Sequence, residues 1–599
     1  MLRLLVVGFA TAVALASQAP TDLARVVAAF APFDLDGDGR AEVRALEPIA
    51  DVGLPAQPLV VVLVEGRLWR GNEGDRVPGA FPGALRRYAA DVAADGHRVL
   101  LLAVDVHAGP PHQDGRTVLA LRRLLQRLHA HAPMSAAVLV GHFPDALLVR
   151  TCNWRRNEKL ELPGRDGKPV AIDAATTNVR AVPEVVAHRC DLVLADLDGD
   201  WERVYVPGPT TLRSAWATFG ASVPEAGGPC AAMQVGELPV TDVFHVRDGA
   251  AIADVADFTL RLDAADRDRE CTAADRALGN PLARPEIAVS RIDARGVAWR
   301  NDAERHVAAD PLSFDPTMRA IPASTAAGDG PPAWKYSGAE EVDLLVRHFD
   351  RNHAFRTQPL PAGARRPASI AHELGAGLDA LRAADPAWAE FAEPGYDVHT
   401  GADLAEVVRW LARPAVLRTL RAHSDPFTAA FAASDPAALD ELFGPPCHWV
   451  RDGDRFVASW REHRGGRADF VFWRAVHRRQ GPNGGPFLLL HTGCEALSPP
   501  GATQLPYDHP DYGKFAHAES LLFFSECVAM VGRAKVFYDE PREFAATLGA
   551  GQTIGRAWQR YFEVEASAER WDDVGGDIGR KRAYFWSIVG DCTLRLPRR

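Results

Sequence analysis

The chain has 599 residues, 47% of them hydrophobic and 24% charged, so it is long enough for several packed layers and has neither the polar excess of a disordered chain nor a collagen-like repeat. Its 67 basic and 78 acidic residues give a net charge of −11, and the basic ones are scattered, which argues against a nucleic-acid or anionic-membrane surface. Eight widely spaced cysteines without a C-x-x-C pair exclude the usual zinc and dithiol motifs.

In chain order, "MLRLLVVGFATAVALASQAP" carries Arg3, an apolar run and small residues at Ala14, Ala16, Ser17 and Ala19, the pattern of a signal peptide over residues 1–19. The apolar run is shorter than the roughly 18 to 20 residues that span a bilayer. An exported protein, secreted or periplasmic and without a membrane span, is expected. Export permits disulfides, with Cys152–Cys190 and Cys230–Cys271 as candidate pairs.

Residues 20–57 read as a polar lead. Within it "DLDGDGRAEV" sets Asp34, Asp36 and Asp38 at alternate positions with Gly39 at the turn, which is how a loop gathers oxygens around calcium. Ala45 stands where a twelfth-position glutamate would be, so Glu42 is the substitute ligand; a solvated acidic turn is the alternative. "DLDGDW" offers Asp196, Asp198 and Asp200 with the same two readings.

From residue 58 apolar runs alternate with amphipathic stretches. "PLVVVLVEGRLW", "HRVLLLAVDV" and "SAAVLVGHFPDALL" read as buried strands, and "GRTVLALRRLLQRLHAHAP" as a helix. "CDLVLADLDGDW" reads as a further strand. Residues 205–283 are rich in loop formers. A second alternation follows: strands at "PEIAVSRID", "AVLRTLRAHSDPF", "FLLLHTGC" and "RAKVFYD", with helices at "SGAEEVDLLVRHFDRNHAF", "LAEVVRWLARP", "KFAHAESLLFFSECVAMVG" and "IGRAWQRYFEVEA". The expected fold class is α/β, with two tandem lobes of mostly parallel sheet and flanking helices over residues 58–283 and 284–599.

Several catalytic motifs are missing. "AHELGAG" has Ala376 where a zinc-protease helix needs its second histidine. No G-x-S-x-G elbow, P-loop or complete G-x-G-x-x-G is present. What remains is Cys494, at the end of an apolar strand where open α/β sheets bind their ligands. A thiol needs a base beside it at neutral pH, and His423 closes an earlier strand 71 residues upstream. Histidine before cysteine on two strands of one sheet is the caspase-like order; the later His509 and His517 lie only 15 and 23 residues on. A cysteine closing an apolar strand is also a common buried residue, and strand alternation points His491 away from Cys494.

Five stretches in order resemble the gingipain family of secreted cysteine peptidases: "AAVLVGHFPDALL", with His142 where an acid is usual; "LADLDGDW"; "PEIAVSRID", with Ser290 for glycine; "HTGC" with "HAESLLFFSECVAMVGRAKV"; and "WSIVGDCTLRL", with Cys592 for proline. The resemblance implies two α/β lobes, the second caspase-like, and a peptidase acting on protein or peptide substrates. It makes Cys494 the nucleophile and His423 the general base, with backbone N–H groups of Cys494 and Ser424 as oxyanion donors, and it implies a structural Ca2+. Where the family has Gly-His-Gly, this chain has Ala422, His423 and Ser424. The rival reading is a scaffold that has lost turnover and serves as an exported binding or envelope protein.

Overall fold

The computed structural model describes residues 22–71, 79–106, 115–155, 159–163, 169–173, 181–199, 201–202, 205–206, 210–216, 234–240, 243–245, 284–300, 335–358, 368–372, 382–383, 385–388, 392–398, 403–432, 434–443, 449–452, 455–458, 466–478, 484–499, 513–534, 541–565 and 585–597. The expected signal peptide, Asp200, Cys230, Cys271 and His509 lie outside them. Among the described residues no helix is long and apolar enough to cross a membrane.

Eleven strands form one mixed sheet: β1 (Val43–Val52), β2 (Leu59–Glu65), β3 (Arg98–Val106), β4 (Met134–Val140), β5 (Ala288–Ile292), β6 (Ala368–His372), β7 (Ala392–Val398), β8 (Leu417–Arg421), β9 (Phe487–His491), β10 (Cys527–Arg533) and β11 (Trp586–Gly590). Their spatial order is β1-β3-β2-β4-β5-β11-β10-β9-β8-β6-β7. β2 to β5 are mutually parallel, and so are β6 to β10. β1 closes one edge antiparallel to β3, while β11 pairs antiparallel with β10 and meets β5 at Arg291↔Val589. The two alternations of the sequence therefore share one sheet. β5, which opens the second alternation, pairs with β4 of the first, and the C-terminal strand β11 joins the two halves.

Strands β2, β4 and β9 are near-continuous apolar runs because both of their faces are buried. Every residue of β2 before Glu65 is buried, and β9 and β10 are buried throughout. The covering helices include α1 (Ala80–Ala94), α2 (Gly115–His131), α3 (Gly338–Thr357), α4 (His517–Phe524) and α5 (Ile554–Glu565). α1 presents Phe81, Leu85, Tyr88 and Val92 at helical spacing. Tyr88 meets Phe349 of α3 with ring centroids 5.1 Å apart. α3 starts where Ser337 accepts the Glu340 N–H, a side-chain cap on an otherwise orphan donor.

Three expectations are corrected. Residues 192–195 form a helical turn, not a strand: the Ala195 N–H donates to the Asp191 carbonyl at 3.1 Å and the Asp196 N–H to the Leu192 carbonyl at 2.8 Å, and the buried Arg122 guanidinium of α2 takes up the carbonyls of Asp196, Leu197 and Gly199 that follow, at 3.0, 3.1 and 2.5 Å. The helix expected over 514–532 stops at Phe524, and β10 begins at Cys527, ahead of the expected "RAKVFYD". There Ser525 Oγ donates to the Leu521 carbonyl at 2.6 Å and accepts the Cys527 N–H at 3.1 Å, ending one ladder and starting the next. Finally, the Cys152–Cys190 pair does not form, because Cys190 is a buried thiol. The antiparallel register sets Cys152 opposite Glu184; six residues at about 3.3 Å each put Cys190 far beyond the roughly 7 Å that a disulfide spans.

Candidate active site

β8 and β9 are parallel neighbours in the register Leu420↔His491. The ladder continues one step past the strand, where the Thr492 N–H donates to the Leu420 carbonyl at 2.9 Å. Beyond it the chains diverge as Ala422-His423-Ser424 and Thr492-Gly493-Cys494, and the Ser424 hydroxyl donates to the Cys494 carbonyl at 2.5 Å. The loops carrying His423 and Cys494 are thus in direct contact. Gly493 makes the contact possible: a Cβ there would come within 2.6 Å of Ser424 Oγ, the Ala422 carbonyl oxygen and Cε1 of His491. His423 is exposed, and Cys494 is a partly exposed thiol. Ser424, expected as a backbone donor, is fixed by its hydroxyl to the residue that carries the thiol.

Both loops are pinned from several sides. His423 and Ser424 pair antiparallel with Ala430 and Ala429, and the turn between them is closed by Asp425 Oδ1, which accepts the N–H groups of Phe427 and Thr428 at 2.8 Å each. On the other loop, the buried Arg533 guanidinium donates to the Thr492 carbonyl, the Leu497 N–H donates to the Arg533 carbonyl at 2.8 Å, and Ser498 N–H bonds Glu495 O at 2.9 Å. Glu495, directly after the cysteine, sits at φ 49°, a left-handed conformation that costs a residue with a Cβ about 1–2 kcal/mol. Such strain collects where surrounding structure holds a side chain in a required direction.

Beneath Cys494 lie two fully buried histidines. The Gly493 N–H donates to His491 Nδ1 at 3.1 Å, and His491 Nε2 faces His517 Nε2 of α4 at 3.1 Å, the rings crossing at 89°. Burial pushes the His517 imidazole down to about 3; burial, then His517 and Arg533, hold His491 well below its ordinary value. His491 is a buried structural partner as expected. The order of residues gave no sign that His517 would meet it.

The segment before α4 ties this site to the first half of the sheet. Phe515 N–H donates to the Gly296 carbonyl, just past β5, at 2.7 Å, and His517 N–H to the Pro426 carbonyl, just past His423, at 2.9 Å. His142, following β4, pairs with Asp293, following β5, at 2.5 Å. Burial alone would raise the Asp293 carboxyl, but His142 and the Arg295 N–H hold it well below the carboxylate range. Asp145 behaves alike: burial opposes it, and Arg189 and Arg291 hold it low.

Two acidic clusters could hold a cation. Asp34, Asp36 and Glu42 offer oxygens within 4.8 Å of one another; Asp38 stands outside the group, its carboxylate accepting the Arg40 N–H at 2.7 Å. Asp34 already accepts the N–H groups of Gly37 and Gly39, and Arg116 lies 3.2 Å from Asp36, so this loop is largely satisfied by its own chain. The second cluster joins Asp196 and Asp198 to Glu286, a residue 88 positions beyond Asp198 that spacing could not reveal. Burial, then Glu286, pushes the Asp196 carboxyl up to about 8, a repulsion that a cation would relieve. Asp198 and Glu286 line a cleft of ≈ 690 Å³ with Arg123, Gln126 and Arg127.

No family model matches the sequence, and no curated protein does. Among solved structures, the chain is similar to one titled "Structure of Protease", at 10% identity and a TM-score of 0.41, over 90% of this chain and 78% of that one. It is also similar to the Arg-specific cysteine proteinase gingipain R, at 9% identity and a TM-score of 0.38, over 91% and 80%.

Proposed function

We propose that the chain is an exported thiol hydrolase of the peptidase type, with Cys494 as nucleophile and His423 as general base, carried by a caspase-like second half spanning residues 284–599. The supporting observation is the Ser424–Cys494 hydrogen bond, which joins the loops bearing the two side chains at the ends of adjacent parallel strands. Cys494 is a thiol with access to solvent, unlike Cys190, Cys527 and Cys592, which are buried; burial pushes the last two up to about 12, where a thiolate is scarce at neutral pH.

In this reading His423 takes the thiol proton as the sulfur attacks a peptide carbonyl carbon. The carbonyl pair moves onto oxygen, where backbone N–H groups of Cys494 and Ser424 steady it. Collapse expels the amine, which receives the proton from His423, and water then hydrolyses the thioester with His423 again as base. Calcium, where bound, would serve as a structural ion, with Asp196, Asp198 and Glu286 the better-suited ligands.

The test is covalent labelling by a peptide carrying a thiol-directed electrophile. Wild-type protein should be modified at Cys494, Cys494→Ala should not be, and His423→Ala should react at least about a hundredfold more slowly, the scale of a lost general base. Equal labelling of wild type and His423→Ala, or none in wild type, would leave the scaffold reading in its place.

A further inference from the structure

The two histidines beneath Cys494 take no part in the chemistry above, and their arrangement is a poor one for stability alone. A backbone N–H can only donate, so the 3.1 Å contact from Gly493 makes His491 Nδ1 an acceptor and places that ring's single proton on Nε2. The Nε2–H then donates to His517 Nε2, 3.1 Å away, and the proton of His517 is left on Nδ1. That atom is buried and has no hydrogen-bond partner among the described residues. A pair of leucines or methionines would fill the same volume without an orphaned N–H. The same tautomer excludes the pair as a metal site, because Nε2 of His491 already carries its proton.

What the pair does hold is backbone. Among the described residues, the outward bond of its rings goes to the peptide N–H of Gly493, adjacent to Cys494. His517 also donates its own N–H to the Pro426 carbonyl, three residues past His423. Residue 517, at the start of α4, therefore meets His491 through its side chain and the His423 loop through its backbone N–H. We propose that His491 and His517 are positioning residues of the Cys494 site: a neutral imidazole pair that fixes the Gly493 peptide and registers the nucleophile loop against the His423 loop. This rests on the thiol-hydrolase reading for its consequence in catalysis, and on the hydrogen-bond geometry alone for its consequence in backbone order.

The experiment separates the two. Asparagine at 491 keeps an acceptor near the Nδ1 position and leucine removes it; glutamine at 517 keeps an acceptor near Nε2 and leucine removes it. His491→Leu and His517→Leu should lower kcat on a peptide substrate by about tenfold or more with KM within about twofold, the signature of misplaced reacting groups. His491→Asn and His517→Gln should stay within about threefold of wild type. In parallel, hydrogen exchange followed by mass spectrometry should show the segment 487–497 exchanging about tenfold faster in the leucine variants only. If the wild-type chain shows neither turnover nor Cys494 labelling, the hydrolase reading fails and exchange alone decides this proposal. Unchanged exchange in the leucine variants, or asparagine and glutamine variants as impaired as the leucine ones, overturns it. Should a leucine variant fail to fold, the conservative pair still decides, because their exchange and kcat must then match wild type.

Discussion

Gly493 is the residue on which the contact between the two loops depends. Its missing Cβ is the space that Ser424 Oγ, the Ala422 carbonyl and the His491 ring occupy, and two of these are not free to move: Ala422 is fully buried and His491 is packed against His517. Gly493→Ala therefore has to push the Cys494 loop away from the His423 loop. The expected result is a loss of thiol labelling of about a hundredfold or more, with stability lowered by about 1–3 kcal/mol from overpacking; steady-state labelling and denaturant unfolding measure the two. Labelling within threefold of wild type would mean that the loops need not touch for Cys494 to react. Ser424 is part of the same fit, since its hydroxyl fills the volume that Gly493 vacates.

At the scale of elements, periodicity located what apolar runs could mark and failed where polar side chains decide. β2, β3, β4, β5, β8 and β9 and the helices α2, α3 and α5 follow the expected segments, because buried strands and amphipathic helices write their burial into the sequence. β1 went unanticipated: its edge position leaves a half-exposed, irregular pattern. The boundary of α4 was also missed, since apolar runs lie on both sides of Ser525-Glu526 in "HAESLLFFSECVAMVG" and no glycine or proline marks the break. That Cys494 and His423 follow the ends of two strands was legible from the apolar runs before them, whereas the His491–His517 pair and the Asp196–Glu286 approach arise from contacts between distant segments that no spacing records. The role of Ser525 is testable. Ser525→Ala leaves the buried Cys527 N–H without the acceptor it now has at 3.1 Å, so equilibrium unfolding should show a loss of about 1–3 kcal/mol, and an unchanged midpoint would show that backbone geometry alone ends the helix.

Over the whole molecule, the joining of two halves into one sheet buries titratable groups whose shifts make stability depend on pH in a definite sense. His348, His491 and His517 are fully buried. Burial holds His348 and His517 down at about 3 and His491 well below its usual value. In the unfolded chain each takes a proton as pH falls through about 6.5, while the folded chain refuses it, so folding weakens from that pH downward. Each group contributes about 1.4 kcal/mol per pH unit once the unfolded form is fully charged. Asp196 acts oppositely: burial raises its carboxyl to about 8, so the folded chain holds a proton that the unfolded chain releases near 4, and its term weakens folding as pH rises toward 8. The raised Glu286, Glu341 and Glu519 share that sense, and the lowered His97 and His477 add to the acid side. The buried histidines thus carry an acid limb, along which stability falls as pH drops below about 6.5, and the raised carboxyls an opposing limb, along which it falls as pH rises, so stability passes through a maximum between them. Below about pH 4 the low-lying Asp145, Asp293 and Asp591 add a further loss as they protonate. Calorimetric melting between pH 4.5 and 8 should show Tm falling on both sides of that maximum, more steeply in acid. His348 tests the cause away from the candidate site: neither ring nitrogen has a partner among the described residues, and its ring packs against Phe349 and Phe523. His348→Leu should make the acid limb shallower, by up to about 1.4 kcal/mol per pH unit, while leaving the alkaline limb in place, and an acid limb as steep as wild type would show that other groups carry the linkage.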